Sequence, residues 1–400
     1  MNYLSNRINA LGESETLAMT ARSRELQAQG CDVINLSIGE PDFNTPQHVK
    51  DAAKAAIDAN FTHYPPVPGY PELRQAIANK FERDNGIFVG ANQIVVSAGA
   101  KQSLANAILC LVNPGDEVLV PAPFWVSYKE IIKLAEGKAV YISGSIESDF
   151  KVTPQQIEDA ITPKTKVFLF SSPCNPTGTV YTRDELKAFA EVFDRHPQVF
   201  IISDEIYEHI NFIGKHESIA QFQNIADRVI IINGVSKGFA MTGWRLGYMA
   251  APLPIAKACD KLQGQMTSGT CSISQKAALE AINTDPKNSE ELKFMVSAFL
   301  NRRNMALALM HDIPGLKINI PDGAFYLFPE VSSYFGNTDG ACKITNATEL
   351  CNYILDNGHV AIVPGTAFGA DDCIRISYAT SEEKLKQAID RIATVLARLE

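Results

Sequence analysis

No stretch of this 400-residue chain stays apolar for the roughly 20 residues that a helix needs to cross a bilayer. The opening run MNYLSNRINALGESE is polar and has no apolar segment of the kind a secretory signal carries, so a cytoplasmic protein is expected. The eight cysteines (Cys31, Cys110, Cys174, Cys259, Cys271, Cys342, Cys351 and Cys373) include no C-x-x-C pair, and several sit in apolar runs such as AILCLV. That usage predicts reduced thiols rather than a disulfide framework. The seven histidines are dispersed without metal-ligand spacing, and no metal is expected. There is no G-x-G and no P-loop pattern, which excludes the usual dinucleotide and nucleoside-triphosphate fingerprints and with them a nucleotide-dependent dehydrogenase. Basic excess is also missing: 36 Lys and Arg face 45 Asp and Glu, a net charge of -9. Such a balance argues against nucleic acid or a membrane surface as partner, while a small anionic ligand remains open because local charge sets a site. Internal repeats and low-complexity linkers are absent too.

What is present reads as an ordinary globular chain, 46% hydrophobic and 20% charged, long enough for two domains. Thr45-Pro46 looks like a cap residue followed by Pro at the first helical position, and a second helix should run from Pro71 to a Gly86 cap. Short apolar runs follow at 93–97, 116–120, 138–143, 166–172, 199–203 and 228–233, most of them separated by helical patterns such as TRDELKAFAEVFDRH. Continuously apolar strands alternating with helices predict an α/β fold with a mostly parallel sheet covered on both faces. After about residue 285 the texture changes to a long helix, short strands and a final amphipathic helix. The expected division is a large domain over 45–285 and a smaller α+β domain built from 1–44 and 286–400, with an N-terminal arm.

Four segments carry chemistry. In GVSKGFAMTGWRLG (234–247), Lys237 follows a strand within a turn of small residues, leaving room for a bulky group, and Arg245 adds a cation; the pattern alone also suits a surface loop. In IISDEIYEHI (201–210), Asp204 and Tyr207 stand at the C-terminal end of a buried strand, where open α/β sheets bind ligands, although Asp204 could equally cap a helix. SSPCNPTG (171–178) uses two prolines to present Asn175. SAGAKQ (97–102) leads a strand into a helix N-terminus, a weak signal for phosphate binding.

Together and in this order, these segments resemble the fold-type I pyridoxal-phosphate (PLP) enzymes, specifically the class I aminotransferases. The resemblance runs from SIGEPDF to RISYATSEE and is nearest to the prokaryotic subgroup of aspartate aminotransferases. It implies a large domain with a seven-stranded sheet between helices and ping-pong chemistry on PLP in a homodimer. Lys237 resembles the Schiff-base lysine and proton shuttle, and a desolvated, cationic setting favours its neutral form. Asp204 resembles the partner of the pyridine nitrogen. Tyr207 and Asn175 resemble donors to the ring hydroxyl oxygen, and Trp125 the aromatic stacked on the ring. By the same resemblance the phosphate sits at Gly99, Ala100 and Lys101 with Ser236, Arg245 and a Tyr64 donated across the dimer. Gly234 departs from the pattern, since many relatives have a phosphate-binding Ser there. Arg375 resembles the fork for the substrate α-carboxylate and Gly39 a backbone contact to it.

In the subgroup it resembles, Lys101 binds the distal carboxylate of aspartate or glutamate together with Ser14 and Thr16 of the partner chain. A lysine at a helix N-terminus opposes the dipole, which favours an anionic partner. The expected reaction therefore moves an amino group between L-aspartate or L-glutamate and 2-oxoglutarate or oxaloacetate. The alternatives are an aromatic, alanine or kynurenine aminotransferase, which would not need Lys101 with Ser14 and Thr16. Prephenate is a further alternative, disfavoured by Gly12 where relatives accepting it carry a basic residue. A PLP-binding sensor or inactive scaffold is disfavoured by the presence of Lys237, Asp204 and Arg375 and by a length that leaves no room for a DNA-binding domain.

Overall fold

The computed structural model describes residues 3–13 and 15–400, so Ser14 lies outside the described residues. Seven strands form its main sheet: β1 (Ile94–Ser97), β2 (Glu117–Ala122), β3 (Lys138–Ser143), β4 (Thr165–Ser171), β5 (Phe200–Asp204), β6 (Val229–Gly234) and β7 (Gly247–Ala250). Their spatial order is β1-β7-β6-β5-β4-β2-β3. β2 through β6 pair in parallel, whereas β7 is antiparallel to both β1 and β6. Every residue of β2 and β6 is buried, which explains why they read as unbroken apolar runs. Alternate side chains still go to opposite faces. Phe168, Phe170 and Ile231 enter the core on one face of the sheet, while Val167, Leu169, Ile230 and Ile232 enter the core on the other.

A separate core gathers the helices Glu290–His311, Ala347–Gly358 and Glu382–Leu396. It also holds a three-stranded antiparallel sheet in which β8 (Tyr326–Leu327) and β9 (Val363–Pro364) flank β10 (Ile374–Ser377). The N-terminal segment joins this body, with Ile34–Asn35 pairing in parallel with Val360–Ala361. Tyr207 and Ile210, just past the end of β5, pack into this same core, so the loop after β5 is one place where the two bodies meet. Among the described residues, no helix is long and apolar enough to cross a membrane, and all eight cysteines are unpaired thiols.

Three local features depart from the sequence reading. β7 is not among the apolar runs, because Gly-Tyr-Met-Ala holds no β-branched residue and follows a glycine-rich turn. Thr45 is not a helix cap: the helix is Gln47–Asp58 with Pro46 at the cap position. The Thr45 hydroxyl instead donates to Ala240 O at 2.8 Å and accepts from Trp244 Nε1 at 3.0 Å, tying it to the turn after Lys237. The helix opening at Pro71 does close on a left-handed Gly86, but only after a π turn over Phe81–Asn85.

Candidate active site

β1 runs in the same direction as β2–β6, so the C-terminal ends of β1, β2, β4, β5 and β6 lie along one edge of the sheet. Ligands of open α/β sheets bind at that edge. Because β7 runs the other way, the residue leading into it, Arg245, arrives at this edge as well. A cavity of about 550 Å³ opens there. From the sheet side it is lined by Ala100, Lys101, Trp125, Asn175, Asp204, Tyr207, Ser236, Lys237 and Arg245, and from the small body by Gly39 and Arg375. Gly99 sits beside it as the cap of the helix Ala100–Leu111, with φ +88°. A Cβ at Gly99 would run into the Arg245 guanidinium, so glycine there admits a cation close to the helix N-terminus.

One expected residue is placed otherwise. Thr16 lines the cavity of its own chain and needs no partner to reach it. Its helix, Glu15–Ala28, packs on the small body through buried Met19 and through a 3.1 Å hydrogen bond between the Thr20 and Ser37 hydroxyls, which brings the first turn to the mouth of the cavity. Tyr64 does not line this cavity; it is 95% exposed.

The cavity is electrostatically lopsided. Lys237 Nζ donates to Gly39 O at 2.6 Å. Burial, reinforced by Arg375 and Arg245 against the opposing pull of Glu40, lowers its pKa to about 8. Burial likewise raises Asp204 to about 6, even though Tyr128 donates to its Oδ2 at 2.7 Å and Ile206 N–H to its Oδ1 at 3.3 Å. The second bond is a local turn contact of the capping kind, so Asp204 organises its own loop as well as facing the cavity. Burial also pushes the Tyr207 phenol well up, keeping it protonated as a donor, 2.7 Å from Tyr326 Oη. Arg375 is 2% exposed. It donates to Asn175 Oδ1 at 3.0 Å and Ser37 O at 2.6 Å, its Cζ lies 4.6 Å from the Tyr326 ring centre, and its Nε has no partner. Lys101 stands 4.9 Å over the Trp125 ring, with its pKa lowered by partial burial and then by Arg245. Among the described residues, none of Lys101, Arg245 and Arg375 forms an ion pair.

Tyr128, Tyr326, Glu40 and Thr242 also line the cavity and were not singled out from the sequence. Tyr128 lies only three residues beyond Trp125, and Tyr326 lies in the apolar run GAFYLFP, where an aromatic reads as core. The histidines are less dispersed than they look: His209 and His216 each come together with buried carboxylates behind β5.

Asp204 makes a pH prediction for the ligand-free protein. Its folded pKa of about 6 exceeds the ordinary 3.8, so its contribution to stability is intact below about pH 4 and is lost as pH rises through 6. Asp204→Asn keeps the shape without the charge. In denaturant titrations it is expected to match the parent near pH 4 and to exceed it at pH 7.5 by at most about 3 kcal/mol, at about 1.4 kcal/mol per pKa unit. Equal stability of the two proteins at pH 7.5 contradicts a strained carboxylate.

A family model for class I and II aminotransferases matches residues 31–392. The aspartate/prephenate aminotransferase of Cereibacter sphaeroides is 46% identical over 402 residues, covering 100% of both chains. The aspartate aminotransferase of Bacillus subtilis is 45% identical over 391 residues, covering 97% of this chain and 98% of its own. Among solved structures, the aspartate aminotransferase of Rhizobium meliloti matches with a TM-score of 0.96 at 42% identity, with 100% of each chain covered. With a lysine, a buried carboxylate and an unpaired arginine converging at the sheet edge, and with similarity of this extent, the chain belongs to the class I and II aminotransferases.

Proposed function

We propose that the protein moves an amino group between L-aspartate or L-glutamate and 2-oxoglutarate or oxaloacetate, with pyridoxal 5'-phosphate held at Lys237. The observation that carries this reading is the pair of unpaired cations, Arg375 and Lys101, lining the cavity that holds Lys237 and Asp204. Membership of the family implies PLP, and the residues present fit it. The Gly99–Ala100 helix start, Ser236 and Arg245 suit its phosphate, Asp204 its ring nitrogen, Tyr207 and Asn175 its ring hydroxyl, and Trp125 its ring face. When bound, PLP supplies an aldehyde that takes up the amino group and a ring that withdraws electrons from the carbon losing its proton.

The chain's own residues do the rest. Lys237, with its pKa near 8, is in part neutral at physiological pH and holds or releases a proton at Nζ. Asp204, with its pKa of about 6, is largely a carboxylate at physiological pH, and a cation beside it would hold it so. Arg375 spends one N–H of each Nη on Asn175 and Ser37, which leaves three of its five N–H donors for the α-carboxylate of the substrate. Lys101 takes the distal carboxylate, with Thr16 alongside. Relatives named for prephenate as well as aspartate raise that substrate too. Here the Gly12 N–H donates to Glu130 Oε2 at 2.9 Å, so a carboxylate rather than a cation marks position 12, and weak prephenate turnover is expected. We further propose that the protein acts as a cytoplasmic homodimer in which the exposed Tyr64 reaches the phosphate of the neighbouring site.

Three outcomes test this. Borohydride reduction of the PLP-loaded protein, followed by peptide mass mapping, should place a pyridoxyl group on Lys237; finding it on another lysine ends the assignment. Lys101→Ser should cost the aspartate half-reaction about 30-fold or more in kcat/KM, because losing one partner of a desolvated charge pair costs roughly 2–5 kcal/mol. Phenylalanine should change much less, and an unchanged aspartate-to-phenylalanine ratio would falsify the role of Lys101. Sedimentation should give a dimer burying more than about 2,000 Å², and Tyr64→Phe should weaken PLP binding; a fully active monomer contradicts the shared site.

A further inference from the structure

The end of β5 and the loop after it read Asp204-Glu205-Ile206-Tyr207-Glu208-His209, and the side chains divide between two environments. Asp204 and Tyr207 line the cavity. Glu205, Glu208 and His209 enter a buried polar cluster behind it. Glu205, 0% exposed, accepts from Ser203 Oγ at 2.8 Å and Ser218 Oγ at 2.6 Å, and its Oε2 lies 2.9 Å from His216 Nε2. Glu208 forms an ion pair with Lys80, their side chains only 2% and 1% exposed. Asn85 bridges the pair, accepting from Lys80 Nζ at 2.9 Å and donating to Glu208 Oε2 at 3.2 Å. Although burial pushes the other way, Lys80 and the two histidines hold Glu208 at about 2, so it is a carboxylate throughout the working range. The wider π turn over Phe81–Asn85 suits this arrangement, because it brings residues five apart, Lys80 and Asn85, side by side. His209 Nε2 lies 3.1 Å from Glu208 Oε1. Its ring backs onto Gly238, the neighbour of Lys237, where a Cβ would come within 2.6 Å of His209 Cδ2.

Fold stability gives little reason for this cluster. A buried ion pair is commonly no better than apolar residues of the same volume, because desolvation offsets the attraction. Glu205, Glu208 and His216 are close enough to share a metal ion, but the Lys80 ammonium already serves as the cation on Glu208. What distinguishes the cluster is its place: it grips the reverse side of the segment whose front side presents Asp204 and Tyr207, and it touches the turn that carries Lys237.

We propose that the Lys80–Glu208 pair, with the hydrogen bonds to Glu205, is a positioning device that fixes the loop over 204–209 so that Asp204 and Tyr207 meet the cofactor ring at set distances. Glu205 and Glu208 are positioning residues, since neither lines the cavity. The inference rests on the reading of the cavity as a PLP site.

The test compares parent, Glu208→Gln and the double variant Lys80→Met/Glu208→Met as PLP-loaded proteins. Three readouts are needed: melting temperature, PLP dissociation constant, and kcat and KM for aspartate. Glu208→Gln leaves Lys80 without a counter-charge and should lower the melting temperature, while the double variant should regain most of it. If the pair positions the loop, PLP should bind roughly tenfold more weakly in the double variant despite its recovered stability. Its kcat should fall, while KM, set by Arg375 and Lys101, stays near that of the parent. A stable double variant with parental PLP affinity and kcat overturns the proposal, leaving the pair a purely structural one. Should the double variant not fold, Ser203→Ala decides, because it removes one hydrogen bond to Glu205 and nothing from the cavity. Weakened PLP binding supports the proposal, and an unchanged dissociation constant overturns it. A parent protein that does not take PLP at Lys237 overturns the functional reading and this inference together, whereas a PLP-binding parent with indistinguishable variants overturns only the inference.

Discussion

Arg375 is a guanidinium almost wholly removed from water with no carboxylate to meet it. A buried charge of this kind persists only where its hydrogen bonds are made and its delocalised face is covered. Here the partners come from three distant parts of the chain: Ser37 O from the N-terminal segment, Asn175 from the proline-rich turn after β4, and the Tyr326 and Phe368 rings from the small body. Holding this one cation therefore requires both bodies to be docked. Its guanidinium lines the cavity with N–H donors to spare, and an anion from outside the protein can complete it. Lys101 and Arg245, which are exposed rather than buried, add two further cations to the lining of the same space.

The large body was legible because its chemistry is local. Strands that are buried on both faces announce themselves as unbroken apolar runs, and Lys237, Asp204 and Asn175 stand a few residues beyond such runs, where the polarity of a parallel sheet gathers them. β7 escaped because its four residues carry no strand preference, although its reversed direction brings Arg245 to the site. Thr16 was legible as a residue but not as a member of its own subunit's cavity, since that depends on the path of the helix Glu15–Ala28 over the small body. Tyr326 was hidden among apolar neighbours, and Tyr128 lay in a helical stretch with no motif of its own.

The cluster behind β5 was illegible for a different reason. Lys80, Asn85, Glu208 and His216 are unremarkable polar residues in their own segments, and only the folded chain shows that they are buried together. Asp204 and Tyr207 were legible as the residues at the ligand edge, but a turn has no fixed period, so the sequence alone could not say what Glu205 and Glu208 meet behind them. The loop thus carries two jobs in one hexapeptide: its front groups tune charge in the cavity, and its rear groups tether it to the helix ending at Lys80.

The connection between β6 and β7 has its own consequence. The two strands are in antiparallel register with Gly234 opposite Gly247, so residues 235–246 form a loop clamped at its base. Lys237 and Arg245 both belong to this loop. The backbone between these two side chains is therefore closed at both ends within one loop. On the proposed reading of the site, in which Lys237 holds the aldehyde and Arg245 the phosphate, the loop acts as a gauge cut to the size of one cofactor. On that reading, adding or deleting a single residue between 237 and 245 would spoil the fit at one end or the other.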